Sequence, residues 1–255
     1  MSARSERRGA ARTRAALTLG CALVLSACAQ WPSASPDIAA RGAVATRAQG
    51  FALPVVRPEL QVGQRWVWSA RELGESASGA TTVIERTVVR VAGDQAELRQ
   101  VALDPATRQP SGPAQIRTLG RAAWHLQPNA PSQGEIRALA FPLSVGKTWD
   151  YEYRLGGREI DAVTSYRYHA RVDGVETIGV PAGRFETLRV THEGRWSRQV
   201  LERGRLVERS GEVRTTYWYA PAVGTWARLE VDLRRPDGTR ELGVLQELAA
   251  YSSGR

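Results

Sequence analysis

Cysteine and histidine are scarce in this chain, and their scarcity narrows its chemistry before anything else does. The 255 residues hold two cysteines, Cys21 and Cys28, and three histidines. Everything C-terminal to Cys28 therefore lacks a disulfide, a thiol nucleophile and a cysteine metal ligand. His125, His169 and His192 each stand alone, with no HExxH and no Asp-x-Asp calcium loop elsewhere. No metal and no cofactor is expected. GESASG at 74–79 has the wrong spacing for a Gly-x-Ser-x-Gly elbow, and no glycine-rich loop links a strand to a helix. Carboxylates such as Asp150, Glu152, Glu159 and Asp161 fit a solvated strand face, and nothing in the pattern sets two of them across a substrate. The chain is read as non-catalytic.

Two further shortages matter. Lysine occurs once, at Lys147, and the many arginines alternate with acidic residues, as in ERTVVRVAGDQAELRQ, instead of pooling into a stripe. That pattern excludes a nucleic-acid partner. Helical periodicity is also missing: no window carries a capped apolar stripe, and only LQELAA at 245–250 has the formers for a short closing helix.

What is present begins at the N-terminus. Arg4, Arg7, Arg8, Arg12 and Arg14 precede an apolar run from Ala15 to Leu25, too short for a permanent membrane span. The run ends in Leu25-Ser26-Ala27-Cys28, which resembles the lipobox of bacterial lipoprotein signal peptides. The resemblance implies cleavage after residue 27 and acylation of Cys28, which anchors the protein to a membrane. Ala29 in place of an aspartate implies, by the same resemblance, the outer membrane facing the periplasm. Removing 1–27 takes away five Arg and Glu6, so the formal charge of +9 falls to near +5. Residues 28–50 are rich in Ala, Ser, Pro and Gly and read as a tether, with Trp31 beside the lipid.

From Phe51 to the end, alternating runs such as TTVIERTVVRV, KTWDYEYRL and DAVTSYRYHARV predict strands. Ala92-Gly93-Asp94, Gly156-Gly157, Asp173-Gly174 and Pro236-Asp237-Gly238 predict the turns between them. Residues 104–115 and 127–135 predict long loops. So many strands cannot form one flat sheet. The expected fold is all-β: a strongly curved antiparallel sheet closing into a barrel or half-barrel, with a β-sandwich as the alternative.

A repeat suggests how it is built. LQVGQRWVW at 60–68 returns 83 residues later as LSVGKTWDY, pairing Gly63 with Gly146, Trp66 with Trp149 and Trp68 with Tyr151. A shorter echo, PAVGTW, brings Gly224 and Trp226. Beyond it, Arg90-Val91-Ala92-Gly93 aligns with Arg171-Val172-Asp173-Gly174. The single domain of 51–255 is expected to contain two related halves, about 58–140 and 141–235.

VPAGRFETLRV at 180–190 and TTYWYAPAVGTWARLEV at 215–231 resemble a family of uncharacterised exported bacterial β-proteins. Their shared pattern is Val-Pro-Ala-Gly-x-Phe, then Trp-Tyr-Ala-Pro-x-Val-Gly, after an upstream Gly-x-x-Trp-x-Tyr. The matching residues are Val180, Pro181, Ala182, Gly183, Phe185, Trp218, Tyr219, Ala220, Pro221, Val223 and Gly224. The resemblance implies a curved sheet or partly open barrel, similar in shape to periplasmic lipid and lipoprotein carriers.

Aromatics at i, i+2 share a strand face. Trp68, Tyr151, Tyr153, Tyr166, Tyr168, Tyr217 and Tyr219 are the candidate ligand-binding residues, able to line a hollow for an apolar or amphiphilic ligand. The competing expectation is a scaffold subunit that docks an envelope protein. The partners expected are the membrane, through the acyl chains, and a lipid or an envelope protein.

Overall fold

The structure, a computed structural model, describes residues 50–74, 79–128, 132–156 and 163–254. The signal segment, Cys28 and nearly all of the tether lie outside the described residues.

Among the described residues twelve strands succeed one another: β1 Arg65–Glu72, β2 Thr81–Ala92, β3 Gln95–Leu103, β4 Gln115–Gly120, β5 His125–Leu126, β6 Ser132–Gly134, β7 Thr148–Gly156, β8 Val163–Val180, β9 Gly183–Glu202, β10 Arg205–Ala220, β11 Thr225–Arg234 and β12 Arg240–Ser252. A 3-10 turn at Pro221–Val223 separates β10 from β11. All strands join one antiparallel sheet in the order β5-β4-β3-β2-β1-β12-β11-β10-β9-β8-β7-β6. The fold is all-β, as the alternation predicts.

Curvature comes from the topology. β5 and β6 lie at opposite edges of the sheet, yet only residues 127–131 separate them in the chain. Leu126 to Ser132 spans at most about 23 Å of extended chain. A flat sheet of twelve strands would put its edges about 53 Å apart. The sheet must curl until its edges nearly meet, which makes it an open barrel. The segment after β6 touches both edges: Leu139 N–H donates to Ala123 O at 3.1 Å, and Trp149 Nε1 donates to Arg137 O at 3.0 Å. Leu139 and Leu143 on that segment are fully buried.

The repeated Val-Gly-x-x-Trp opens β1 and β7 in the same way. Gln64 N–H donates to Gln61 O and Gly63 N–H to Val88 O, while Lys147 N–H donates to Ser144 O and Gly146 N–H to Val172 O. Both glycines sit at positive φ, 87° and 85°, where a side chain is disfavoured. By hydrogen bonding the counterpart of Val172 is Val88, three residues from the Val91 that the sequence alignment selects. Gly224, one residue closer to its tryptophan, instead ends the 3-10 turn at φ 65°.

Three further expectations need correction. Asp173-Gly174 is no turn: β8 runs through it with a bulge between Val172 and Gly174. Leu245–Ala250 is strand within β12, because β1 and β11 claim it from either side and override its helix propensity. The 127–135 loop contains β6. The turns at 92–94 and 236–238 are where the sequence puts them, while Gly157 of the Gly156-Gly157 turn lies outside the described residues.

Pro181 and Gly183 frame the β8–β9 turn, where Ala182 N–H donates to Leu248 O of β12 at 3.0 Å. Phe185 enters β9 buried, its ring 5.8 Å from Tyr251. Leu188 and Val190, on the other strand face, are also fully buried.

Candidate functional site

The interior of the β1–β4 half is filled by indoles. Trp66, Trp68 and Trp124 are buried, with Trp226 of β11 stacked on Trp68 at 5.7 Å. Each indole N–H of the repeat finds an acceptor. Trp66 donates to Val223 O at 2.9 Å, Trp68 to Trp226 O at 3.3 Å and Trp226 to Gln246 Oε1 at 3.1 Å. Arg86 is buried among them, its guanidinium 5.1 Å from the Trp68 ring and its Nε bonded to Gln100 Oε1 at 2.9 Å. Burial lowers its pKa to about 10, so it stays charged at neutral pH. The space left beside these rings is about 20 Å³, room for one water.

The β7–β10 half is built differently. On its inner face Tyr151 lies opposite Tyr168, and Tyr153 opposite Tyr166. The cross-strand rings stack at 5.0 and 4.9 Å, and neighbours along each strand at 6.2 and 6.1 Å. One strand further, Trp196 sits opposite Tyr166 and Gly194 opposite Tyr168. Gly211 of β10 then lies opposite Trp196. A Cβ on Gly211 would stand 1.8 Å from Arg234 O and 3.0 Å from the Trp196 indole nitrogen; one on Gly194 would stand 1.9 Å from Arg167 O. Glycine is required at both places. Trp196, fully buried, donates to Arg234 O at 3.3 Å.

His192 stands at the head of this ladder. Its Nδ1 is 2.8 Å from the Tyr151 hydroxyl, and the rings of Trp149, Tyr151, Tyr168 and Tyr217 surround it at 5.1–6.1 Å. Burial pushes its pKa down to about 3, so it is neutral. Burial also raises the Tyr168 phenol to about 12 and lifts Tyr151, Tyr153 and Tyr217 above the ordinary range. None of these groups is poised for proton transfer near pH 7.

The structure thus joins six of the seven aromatic candidates into one run. It leads from the four ladder tyrosines through His192 to Tyr217, which touches Trp226 at 5.7 Å and through it Trp68. Tyr219 stands apart, fully buried with Phe141 at 5.4 Å. Trp218 faces outward, donating to Glu176 Oε1 at 2.8 Å beneath the Arg228 guanidinium. Four of the aromatic candidates, Tyr151, Tyr153, Tyr166 and Tyr168, also line the large cleft beside the ladder.

A large open space borders this half. A cleft of about 1510 Å³ spans β7 to β10, rimmed by Gln133 and Gly134 at one edge and by Arg235, Pro236 and Gly238 at the other. Successive strand residues alternate faces, and residues of both faces border the cleft. The side chains of Asp150, Glu152 and Arg167 are 81%, 72% and 83% exposed, whereas Trp196 and Tyr168 are buried. The trough is lined by both rows: the tyrosines, of which Tyr151, Tyr153 and Tyr166 are partly exposed, and the charged residues between them. Asp150, Glu152, Glu193 and Glu212 oppose Arg154, Arg167, Arg195, Arg234 and Arg235 there. Asp150 pairs with His169 at 2.8 Å and Glu152 with Arg167 at 3.4 Å. Among the described residues, the side chains of Arg154, Arg195 and Glu212 have no such partner. Next to them Ser165, Ser197 and Ser210 add a row of hydroxyls.

Sequence reasoning missed His192, Trp196 and the two glycines, as well as the charged trough. Parity could have found the first group, since His192, Gly194 and Trp196 share a face with Val190. Nothing local marks which face of a curved sheet stays open.

No family model matches the chain, and no curated protein matches it. Three solved structures align over most of their length. A protein from Bacteroides fragilis assigned as exported, with a YmcC-like fold, shares 15% identity over 78% of this chain and 100% of its own, at a TM-score of 0.48. A protein from Parabacteroides distasonis assigned as a lipoprotein shares 11% over 78% and 99%, at 0.46. The hypothetical lipoprotein YmcC of Escherichia coli shares 12% over 75% and 86%, at 0.35.

Proposed function

We propose that this chain is an exported, lipid-anchored protein of the cell envelope, held by acylated Cys28 at the outer membrane and facing the periplasm. Its β-domain is a non-catalytic docking module that holds an extended polypeptide segment of an envelope partner against the charged face of β7–β10.

The observation that carries this reading is the trough. At about 1510 Å³ and open along its length it exceeds the roughly 300–1,000 Å³ of a small-molecule pocket. Its lining joins aromatic rings with charges of both signs, which suits a polypeptide carrying both charges and apolar groups and argues against a polyanion.

A photo-crosslinking residue in place of Ser197, introduced in the living cell, tests the proposal. The expected result is one defined polypeptide adduct, lost when Arg195→Glu is added, and no adduct from position 89 on β2. Adducts with lipid alone, or the same adducts from both positions, would contradict it.

A further inference from the structure

The described chain begins at one end of the barrel, where β1, β3, β7 and β9 start. A Cβ placed on Gly50 would stand 3.7 Å from Glu186 Oε2, near the start of β9. Residues 50–61 then cross that end. Val55 and Leu143 exchange hydrogen bonds of 2.8 Å, and Arg57 pairs with Asp94 of the β2–β3 turn at 2.8 Å. Pro58 lies 3.5 Å from where a Cβ on Gly224 would stand, and Gln61 begins the turn into β1.

Apolar side chains stand in the open along this path. Leu53 is 46% exposed and Val56 70%. Val62 and Val145, at 55% and 49%, hold the same place in the two Val-Gly-x-x-Trp turns, each just before a glycine at positive φ. Such a turn constrains the glycine and makes no demand for valine before it. A single exposed apolar residue needs no explanation, but four brought to one end of a barrel mark a surface that meets something apolar.

The charges at this end are largely tied. Arg57 holds Asp94, Arg121 reaches Glu59 at 3.3 Å and the Gly93 carbonyl at 2.7 Å, and Lys147 Nζ donates to Pro142 O at 2.9 Å and to Ala140 O. Arg184 and Glu186 add one charge of each sign. The Glu59 and Asp94 side chains stay 88% and 72% exposed, which disfavours an anionic surface. Near-neutral charge with exposed valine and leucine suits the head-group zone of a zwitterionic phospholipid, entered shallowly. Deep insertion is excluded, because the open turns would lose their hydrogen bonds to water.

The place where the chain enters supplies the occupant. Residues 28–49 separate Cys28 from Gly50, a reach of at most about 75 Å at full extension, and they join the domain at this end. We infer that the Gly50 end of the barrel rests on a zwitterionic phospholipid surface through Leu53, Val56, Val62 and Val145. This contact rests on the lipid anchor at Cys28 and is independent of what the trough holds.

The test uses the full mature protein, acylated at its N-terminus, in vesicles of phosphatidylcholine. No cysteine follows Cys28, so Val56→Cys or Leu206→Cys supplies the one free thiol for an environment-sensitive fluorophore. The two native side chains are equally open, 70% and 69%, and Leu206 lies at the β9–β10 turn at the other end of the strands. The expected result is a blue shift and quenching by spin-labelled lipid at position 56 and not at 206, unchanged in about 0.5 M salt. Val62→Asp with Val145→Asp should then lower the ratio of docked to undocked protein at position 56 on the order of tenfold. Protein that fails to float with the vesicles would overturn the anchor and the contact together. Protein that floats but is quenched equally at both positions, or not at 56, would overturn the contact alone. A blue shift without vesicles that grows with protein concentration would also overturn it, identifying a second copy of the chain as the occupant.

Discussion

The two halves of the sheet begin with the same device and end with different interiors. Trp66 and Trp68 open β1 and lie wholly within the core, their indole donors tied to the third copy of the motif. Trp149 and Tyr151 hold the matching places in β7, where Tyr151 starts a ladder that is only half-buried at its far end. One residue type separates them. Indole fills its half from within, whereas phenol rings stack flat and lean on glycines of the next strands. The outer face of the second half is then left without cover and carries the charges. The comparison teaches that the repeated motif is a way of starting a strand. The side chains beyond the motif determine whether a half serves as core or presents a surface.

Trp68→Ala should produce the largest effect, about 3–5 kcal/mol lost in denaturant unfolding. Tyr153→Ala, at the ladder's open end, should cost about 1–2 kcal/mol. Equal losses would break the distinction between the halves.

Acid sharpens the comparison next. The His192 pKa of about 3 lies below the ordinary 6.5, so between these values the unfolded chain binds the proton and the folded one does not. Stability should therefore fall as pH drops from 6.5 toward 3, by at most about 1.4 kcal/mol per unit. His125 contributes in the same direction, its pKa lowered to about 4 by burial and by the charge of Arg117. Thermal unfolding between pH 6.5 and 4.5 should flatten in His192→Phe, which keeps an aromatic ring in the cage. An unchanged slope would show that His192 does not link acid to stability.

Gly211→Ala should cost about 1–3 kcal/mol by forcing apart β10 and β11 or displacing Trp196. Gly112→Ala, with open space around its Cβ, should stay within about 0.5 kcal/mol. The smallest effect on stability belongs to the trough. Arg195→Glu should change unfolding by less than about 0.5 kcal/mol while abolishing partner capture. A large loss of stability there would mark Arg195 as structural.

Much of the fold is legible in the sequence, for reasons that particular residues make plain. Alternation in KTWDYEYRL needs no tertiary context to show a strand with Trp149, Tyr151 and Tyr153 on one face. Gly63 and Gly146 announce a change of direction because few other residues accept their φ. Asp173-Gly174 misleads because a bulge uses the same residues as a turn. LQELAA misleads because pairing on both sides outweighs a propensity of a few tenths of a kcal/mol per residue. The site is hidden for a different reason. Period-two alternation assigns each side chain to a face, but the curl of the sheet depends on where β5 and β6 end up. That is fixed by twelve strands acting together, and no single stretch encodes it.

The central proposal is that this domain engages a polypeptide along the trough of β7–β10. Native mass spectrometry of the protein drawn gently from envelopes tests it most directly. The expected result is a second polypeptide at fixed stoichiometry, released as salt is raised and absent with Arg195→Glu. A protein that arrives alone with a lipid held inside it would contradict the claim.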